Sequence, residues 1–143
     1  MEKKELLRRV YGYENFRPGQ EELIDAVLSG RDVLGIMPTG GGKSMCYQIP
    51  GLLLPGLTVV ISPLISLMRD QVQTLMAAGI PAAYLNSTQS AAEAKNVYRN
   101  LYMGNIKLLY VAPERLDSEG FAAVAEKVPI SFVAVDEAYS QNS

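Results

Sequence analysis

The stretch Met37-Pro38-Thr39-Gly40-Gly41-Gly42-Lys43-Ser44 decides the fold of this chain. It follows the apolar run Asp32–Ile36, which is typical of a short buried strand, and a helix is predicted to start at Lys43. A strand, a glycine-rich loop that ends in Lys-Ser, and a helix together form a cradle for nucleotide phosphates. The glycines let backbone N–H groups turn toward one point, and the helix N-terminus adds its positive end.

The loop has a chemical task for each residue type. Lys43 is predicted to reach the β- and γ-phosphates of ATP, and the Ser44 hydroxyl is predicted to bind Mg²⁺. Met37 stands where the usual pattern has its first glycine, so a glycine-rich turn before an ordinary helix is the alternative interpretation. The predicted nucleotide-binding residues of the loop are Thr39, Gly40, Gly41, Gly42, Lys43 and Ser44.

Composition narrows the classes of function. The 143 residues suit a single domain with a sizeable core, and 48% of them are apolar. A net charge of −2 provides no general basic field for nucleic acid, so any such binding must depend on individually placed groups. With no histidine and one cysteine, a zinc site of the usual ligands and a histidine-based nucleophilic triad are both excluded.

The sequence favours a cytoplasmic protein. Cys46 has no cysteine partner for an internal disulfide, which favours a reducing compartment. No apolar run is long enough to span a membrane, and the charged start Met1–Glu5 does not resemble a signal peptide.

Strand and helix patterns alternate along the chain. Strands are predicted over residues 32–37, 57–61, 82–86, 107–112 and 131–135. Helices are predicted around Leu6–Val10, with Gly12 at the end, and from Pro18 to Leu28. A third helix is predicted from Lys43 to Pro50, which bends or ends it, and a fourth has Ser62 as its cap and Pro63 as its first residue. Two more are predicted over about 90–103 and 118–127. This alternation predicts an α/β fold with a mainly parallel central sheet flanked by helices on both faces.

Polar signatures follow the predicted strands at their carboxyl ends, where parallel sheets bind their ligands. These signatures are the phosphate loop, Ser62-Pro63, Asn86-Ser87-Thr88, Pro113-Glu114-Arg115 and Asp136-Glu137. Asp136 is predicted to hold Mg²⁺, and Glu137 to orient or deprotonate the attacking water. Two solvated carboxylates at a strand end are the alternative for the last pair.

Six motifs in a fixed order resemble the first RecA-like lobe of a RecQ-family DNA helicase of superfamily two. The motifs lie at residues 13–20, 37–44, 62–72, 85–88, 109–116 and 135–138. The resemblance implies a three-layer RecA-like P-loop domain over residues 1–143, with N-terminal helices and an adenine-recognition motif in residues 1–30. It also implies ATP and Mg²⁺ as cofactors, and single-stranded or duplex DNA as the partner.

The resemblance assigns an adenine site to the first motif. Tyr13 would stack on the base, Gln20 would hydrogen-bond its edge, and Arg17 would support the pocket. From spacing alone, Tyr13 and Phe16 would instead be core residues.

The resemblance also implies contacts to the DNA backbone without base recognition. The residues concerned are Ser62, Pro63, Arg69, Asn86, Ser87 and Thr88. For Arg69, a solvated charge is an equal alternative. Glu114 and Arg115 would either pair locally or contribute to DNA binding and coupling between lobes.

The chain departs from the family pattern after Asp136-Glu137-Ala138. Tyr139 replaces the usual histidine, and we expect a truncation that lacks the aromatic-rich loop and the second RecA-like lobe with its arginine finger. The resemblance implies the ATP-binding lobe of an ATP-dependent 3′–5′ DNA helicase in repair and recombination, with little or no unwinding by this chain alone. A non-catalytic nucleotide- or DNA-binding module is the second hypothesis, and a small P-loop kinase is disfavoured.

Overall fold

The computed structural model describes residues 2–17, 19–28 and 43–135. The predicted strand over 32–37, the glycines of the phosphate loop, and Asp136-Glu137 lie outside these residues. Packing divides the chain into one unit at Met1–Pro55 and another at Gly56–Ser143.

Helices form the described part of the first unit. They are α1 at Lys3–Leu6, which continues as a π-helical turn at Leu7–Tyr11, then α2 at Gln20–Leu28 and α3 at Lys43–Leu53. The predicted end of the first helix is confirmed, because Gly12 adopts the left-handed conformation with φ of 76° and its N–H bonds to the carbonyl of Arg8. The π-helical form of that turn has no signal in the apolar spacing.

The core of this unit explains why α3 continues beyond Pro50. Leu7, Ile24 and Ile49 are fully buried together, and Leu52 and Leu53 pack against this cluster. The prediction allowed Pro50 either to bend or to end the helix, and ending is wrong, since α3 runs to Leu53. Burial of the two leucines offsets the backbone hydrogen bond that a proline cannot donate.

A parallel sheet organises the second unit. Within the described residues it has four strands in the order β2-β3-β1-β4. Their bounds are β1 at Leu57–Ile61, β2 at Ala82–Leu85, β3 at Leu108–Val111 and β4 at Ile130–Val135. Each of these strands was predicted to within one residue at either end, because an apolar run buried by helices has abrupt polar boundaries.

Helices cover both faces of this sheet. They are α4 at Ile65–Ala77, α5 at Ala91–Tyr102 and α6 at Glu119–Lys127, with a 3₁₀ turn at Pro113–Arg115. On one face, buried Leu109 belongs to a core that includes Leu101 of α5 and Val124 of α6. On the other face, the Tyr110 hydroxyl donates to Gln71 of α4 at 2.8 Å. The predicted α/β class with a flanked parallel sheet is therefore confirmed.

The predicted start of α4 is wrong. Ser62 does not cap this helix, and Pro63 is not its first residue, because the helix begins at Ile65 with Leu64 as the preceding residue. Leu64 has φ of −88° and ψ of 72°, which lies outside the helical region. Ser62 and Pro63 form a separate turn, in which Ser62 Oγ accepts from the Leu64 N–H at 3.1 Å.

The amino end of the sheet is closed by hydrogen bonds that involve the main chain. The Leu57 N–H bonds to the Pro129 carbonyl at 2.9 Å, and the Lys107 N–H bonds to the Pro81 carbonyl at 2.8 Å. The Gly56 N–H donates to Ser131 Oγ at 2.7 Å. A Cβ at Gly56 would overlap that oxygen and lie 2.8 Å from the Pro129 carbonyl oxygen, so this position has no room for a side chain.

Candidate nucleotide and nucleic-acid site

The described part of the phosphate-binding motif is its helix. Helix α3 begins at Lys43, which agrees with the prediction that this residue and Ser44 open a helix. The side chains of both residues, the loop from Thr39 to Gly42, and Asp136-Glu137 lie outside what the structure describes. Their roles toward phosphate and metal stay predictions.

The N-terminal motif separates an exposed aromatic ring from a buried amide. Tyr13 is 51% exposed, whereas Gln20 is 1% exposed. Gln20 Oε1 accepts from the Arg17 backbone N–H at 2.7 Å, and the Gln20 N–H donates to the Arg17 carbonyl at 3.1 Å. Gln20 therefore holds the segment that precedes α2, while its contact with adenine stays a prediction. Exposed Tyr13 leaves a stacking surface available, which disfavours the alternative of a core residue.

Backbone hydrogen bonds bring three strand ends together at the carboxyl edge of the sheet. Ile61 and Leu85 both lie opposite Val111 in the strand register. Beyond that point, the Ser62 N–H bonds to the Val111 carbonyl at 3.1 Å, and the Ala112 N–H bonds to the Leu85 carbonyl at 3.0 Å. The turns that follow β1, β2 and β3 are consequently neighbours, as the sequence predicted for its polar signatures.

The turn after β1 presents its proline and holds its serine inside. Ser62 is 3% exposed, and its hydroxyl is used by the Leu64 N–H. Pro63 is exposed, and so is Arg69 one turn into α4. Direct contact of these residues with DNA stays a prediction.

The turn after β2 is built around the side chain of Asn86, which is 1% exposed. Its Oδ1 accepts from the Thr88 N–H at 2.9 Å and from the Thr88 hydroxyl at 2.6 Å. Gln89 Oε1 accepts from the Asn86 N–H at 3.1 Å, and Gln89 Nε2 donates to the Tyr84 carbonyl at 2.7 Å. Ser87 and Thr88 are exposed at the tip of this turn. The buried asparagine thus fixes the two residues that face solvent.

Helix α5 starts with a complete capping box directly after this turn. Ser90 Oγ accepts from the Glu93 N–H at 3.1 Å, and Glu93 Oε1 accepts from the Ser90 N–H at 2.8 Å. These bonds from Ser90 lower the pKa of the Glu93 carboxyl, and the Arg69 guanidinium lowers it further. For Arg69, both alternatives, a solvated charge and a contact with DNA, stay predictions.

Arg115 has a hydrogen-bond partner that the sequence did not predict. Its guanidinium donates to the Asn86 carbonyl at 2.9 Å and is half-buried, while Glu114 is exposed. Of the two alternatives for this pair, local pairing is wrong among the described residues. The sequence predicts that Pro113-Glu114-Arg115 follows a strand, but no residue near Arg115 in the sequence indicates that it bonds to Asn86.

The described residues contain neither a cluster of metal-ligating side chains nor a membrane-spanning helix. In residues 2–17, 19–28 and 43–135, no group of three or more His, Cys, Asp or Glu side chains is arranged to hold a metal ion. Over the same part of the chain, no helix has the length and hydropathy needed to cross a bilayer.

Comparison with known proteins finds a family and several close relatives. Residues 17–140 match the DEAD/DEAH box helicase family. The chain is 55% identical over 135 residues to the "ATP-dependent DNA helicase RecQ" of Pasteurella multocida, an alignment that covers 94% of this chain and 21% of that protein. It is 53% identical to the RecQ helicase of Bacillus subtilis, with 94% and 23% covered.

A vertebrate relative extends the comparison. The "RecQ-like DNA helicase BLM" of Xenopus laevis is 49% identical over 117 residues, which cover 80% of this chain and 9% of that protein. The chain thus spans about a fifth of the length of the bacterial relatives that it matches. The resemblance to RecQ helicases predicted from the six motifs is confirmed.

Proposed function

Because this chain belongs to the DEAD/DEAH box helicase family, we propose that it is the ATP-binding lobe of an ATP-dependent DNA helicase. The observation that carries the proposal is the match over residues 17–140, together with 55% identity to a protein named as an ATP-dependent DNA helicase. The parallel sheet supports it, because its polar turns gather at the carboxyl edge, where such folds bind ligands.

We assign ATP binding to the phosphate loop and to the N-terminal motif. Lys43 would balance phosphate charge at the start of α3, and exposed Tyr13 would stack on adenine. The Ser44 hydroxyl and the Asp136 carboxylate are hard oxygen donors, a set that fits Mg²⁺. When bound, the metal would neutralise charge on the β- and γ-phosphates.

For DNA, we propose that exposed groups at the sheet edge contact the backbone of a single strand. Pro63, Ser87 and Thr88 are exposed there, whereas Ser62 and Asn86 are buried and shape the turns. Hydroxyl and backbone N–H groups suit phosphate oxygens and carry no base specificity. A cytoplasmic location would agree with the presence of a single cysteine, Cys46, which has no second cysteine in this sequence for a disulfide.

A nucleotide titration tests the first assignment. Lys43→Ala should weaken binding of a fluorescent ATP analogue by about tenfold to a hundredfold, since a hydrogen bond to a charged group contributes roughly 1.5–3 kcal/mol. Lys95→Ala removes the same charge from an exposed position on α5 and should bind as the wild type does. Equal binding by the wild type and Lys43→Ala would refute the phosphate-loop assignment.

A second titration separates the two roles of Gln20. Gln20→Ala should weaken ATP several-fold and leave the poorer ligand GTP nearly unchanged. Gln20→Glu keeps an acceptor for the Arg17 N–H and loses the amide donor, so it tests adenine recognition with the hydrogen bond to Arg17 retained. Parallel losses for ATP and GTP in both variants would assign Gln20 a structural role only.

The rate of ATP hydrolysis distinguishes a motor enzyme from a binding module without turnover. For this chain alone, we propose ATP binding with phosphate release close to background, because an arginine finger from a second lobe contributes roughly 10³–10⁵ in rate in comparable enzymes. The assay measures phosphate release with and without single-stranded DNA, with Glu137→Gln as the blank. DNA-stimulated release that the substitution abolishes would show that one lobe suffices.

A further inference from the structure

Arg115 connects two turns that lie on different strands. Its guanidinium, which follows β3, donates at 2.9 Å to the carbonyl of Asn86, which follows β2. One residue before Asn86, the Leu85 carbonyl accepts from the N–H of Ala112, which directly follows β3, at 3.0 Å. Two consecutive carbonyls of the β2 end are thus bound from the β3 end, the first by a backbone N–H and the second by a side chain. Arg115 extends the pairing of the strands by one residue beyond the sheet.

This bond completes the hydrogen bonding of Asn86. The N–H of Asn86 is held by Gln89, and its Oδ1 is held twice by Thr88. Its Nδ2 lies 3.6 Å from the Met68 sulfur, which is a weak acceptor. Arg115 supplies the remaining bond, to the carbonyl, and supplies it from outside the segment. The bond from Arg115 is therefore stronger than the contact with the Met68 sulfur, and it ties the turn to the segment that follows β3.

We propose that Arg115 is a positioning residue for nucleic-acid binding, which holds the turn from Asn86 to Ser90 so that Ser87 and Thr88 face the DNA backbone. This inference rests on the proposed function of that turn. The alternative role for a half-buried arginine at this edge is a direct contact with a phosphate. The two roles differ in a measurable way, because a phosphate contact releases counterions and a bond to a carbonyl of the protein releases none.

Two measurements on the 143-residue chain test the proposal. The first is amide hydrogen exchange without any ligand, compared for the wild type and Arg115→Ala. We expect exchange of the Thr88 and Asn86 amides to accelerate about tenfold or more, with β1 amides unchanged. Arg99→Ala is the matched control, since it removes an exposed arginine from the last turn of α5. Unchanged exchange over residues 86–90 in Arg115→Ala would overturn the proposal.

The second measurement is binding of a labelled oligo-dT strand as a function of salt. For a positioning residue, Arg115→Ala weakens binding several-fold while the slope of log affinity against log salt stays at the wild-type value. Loss of one phosphate contact would instead reduce the slope by about 0.7, and that result would overturn the proposal. If the wild type binds no oligo-dT, the proposed function of the turn fails, while exchange still decides whether Arg115 holds it.

A second variant keeps the test decisive if Arg115→Ala does not fold. Arg115→Met retains an apolar stem of similar packing and loses every N–H donor. Faster exchange confined to residues 86–90 in this variant supports the proposal, and exchange equal to that of the wild type overturns it.

Discussion

The two ends of the parallel sheet are built in different ways. At the amino end, main-chain groups bond across Leu57, Pro129, Lys107 and Pro81, and Gly56 leaves no room for a side chain. At the carboxyl end, the chain turns through segments that are shaped by side chains of Ser62, Asn86, Gln89 and Arg115. The amino end requires the absence of a side chain at Gly56 and uses the Ser131 hydroxyl as an acceptor, whereas the carboxyl end depends on the identity of several side chains.

This difference separates stability from function within one sheet. Close main-chain packing tolerates little change, so the amino end contributes chiefly to folding. Turns shaped by side chains can present new groups to solvent without disturbing the strands behind them, which suits a binding edge. Substitutions at the two ends should therefore differ in size and in what they affect.

The largest expected effect is at the amino end. Gly56→Ala should lower the free energy of unfolding by about 3 kcal/mol, the upper part of the range for overpacking. The new Cβ would meet the Ser131 hydroxyl and the Pro129 carbonyl. Urea denaturation measures the loss. Gly56→Ala/Ser131→Ala should recover only part of it, because the carbonyl contact remains; full recovery would contradict a main-chain clash.

At the carboxyl end, the largest effect should come from Asn86. Asn86→Ala removes a buried side chain whose oxygen accepts from both the N–H and the hydroxyl of Thr88, and it should cost about 2 kcal/mol. Asn105→Ala is the control, since exposed Asn105 makes a single side-chain bond to Asn100 and should change stability by less than about 0.5 kcal/mol. Equal losses of stability in the two variants would contradict a special role of Asn86 in the turn after β2.

Ser62 should matter less than Asn86. Its hydroxyl accepts one hydrogen bond, from the Leu64 N–H, so Ser62→Ala should cost about 1 kcal/mol in urea denaturation. Ser66→Ala tests an exposed serine in the first turn of α4 and should be close to neutral. A loss in Ser66→Ala that matches the one in Ser62→Ala would indicate general sensitivity of this helix start.

The smallest effect should depend on pH. The folded-state pKa of Glu93 is lowered from the ordinary value of 4.5 by its bonds with Ser90. The stabilisation is therefore present above about pH 4.5 and is lost as the pH falls through the folded-state pKa. Glu93→Gln keeps an acceptor for the Ser90 N–H and removes the charge.

The difference in urea midpoint between the wild type and Glu93→Gln should thus shrink as the solution is acidified. Glu126→Gln, on the exposed face of α6, controls for removal of a carboxylate elsewhere. A difference for Glu93→Gln that persists at acidic pH would show that the charge is not responsible.

Sequence patterns predicted the strands better than the start of α4. Leu57–Ile61 consists of apolar and β-branched residues, which is typical of a buried parallel strand, so its bounds were predicted correctly. Ser62-Pro63 has the local signature of a helix cap, yet α4 begins only at Ile65. That outcome depends on the backbone angles of Leu64, which no residue type in the pattern determines.

In the candidate site, too, the sequence predicted some features and missed others. The strand-end signatures predicted that the turns after β1, β2 and β3 lie at one edge, because the carboxyl ends of parallel strands share an edge. The bond between Arg115 and Asn86 depends on Leu85 lying opposite Val111, which is a matter of register between distant strands. The burial of Gln20 could not be predicted from its residue type either, because glutamine is mostly exposed in proteins.

Strand order also governs how this chain folds as it is synthesised. Val59 in β1 lies opposite Leu109 on one side and Val133 on the other, so neither neighbour exists when β1 leaves the ribosome. At about 5–20 residues per second, this apolar strand waits for several seconds before both edges can pair. Long-range pairing of this kind slows folding and exposes unpaired edges to other chains. A nascent chain paused shortly after Ile61 should therefore be a good substrate for chaperones that recognise extended apolar segments.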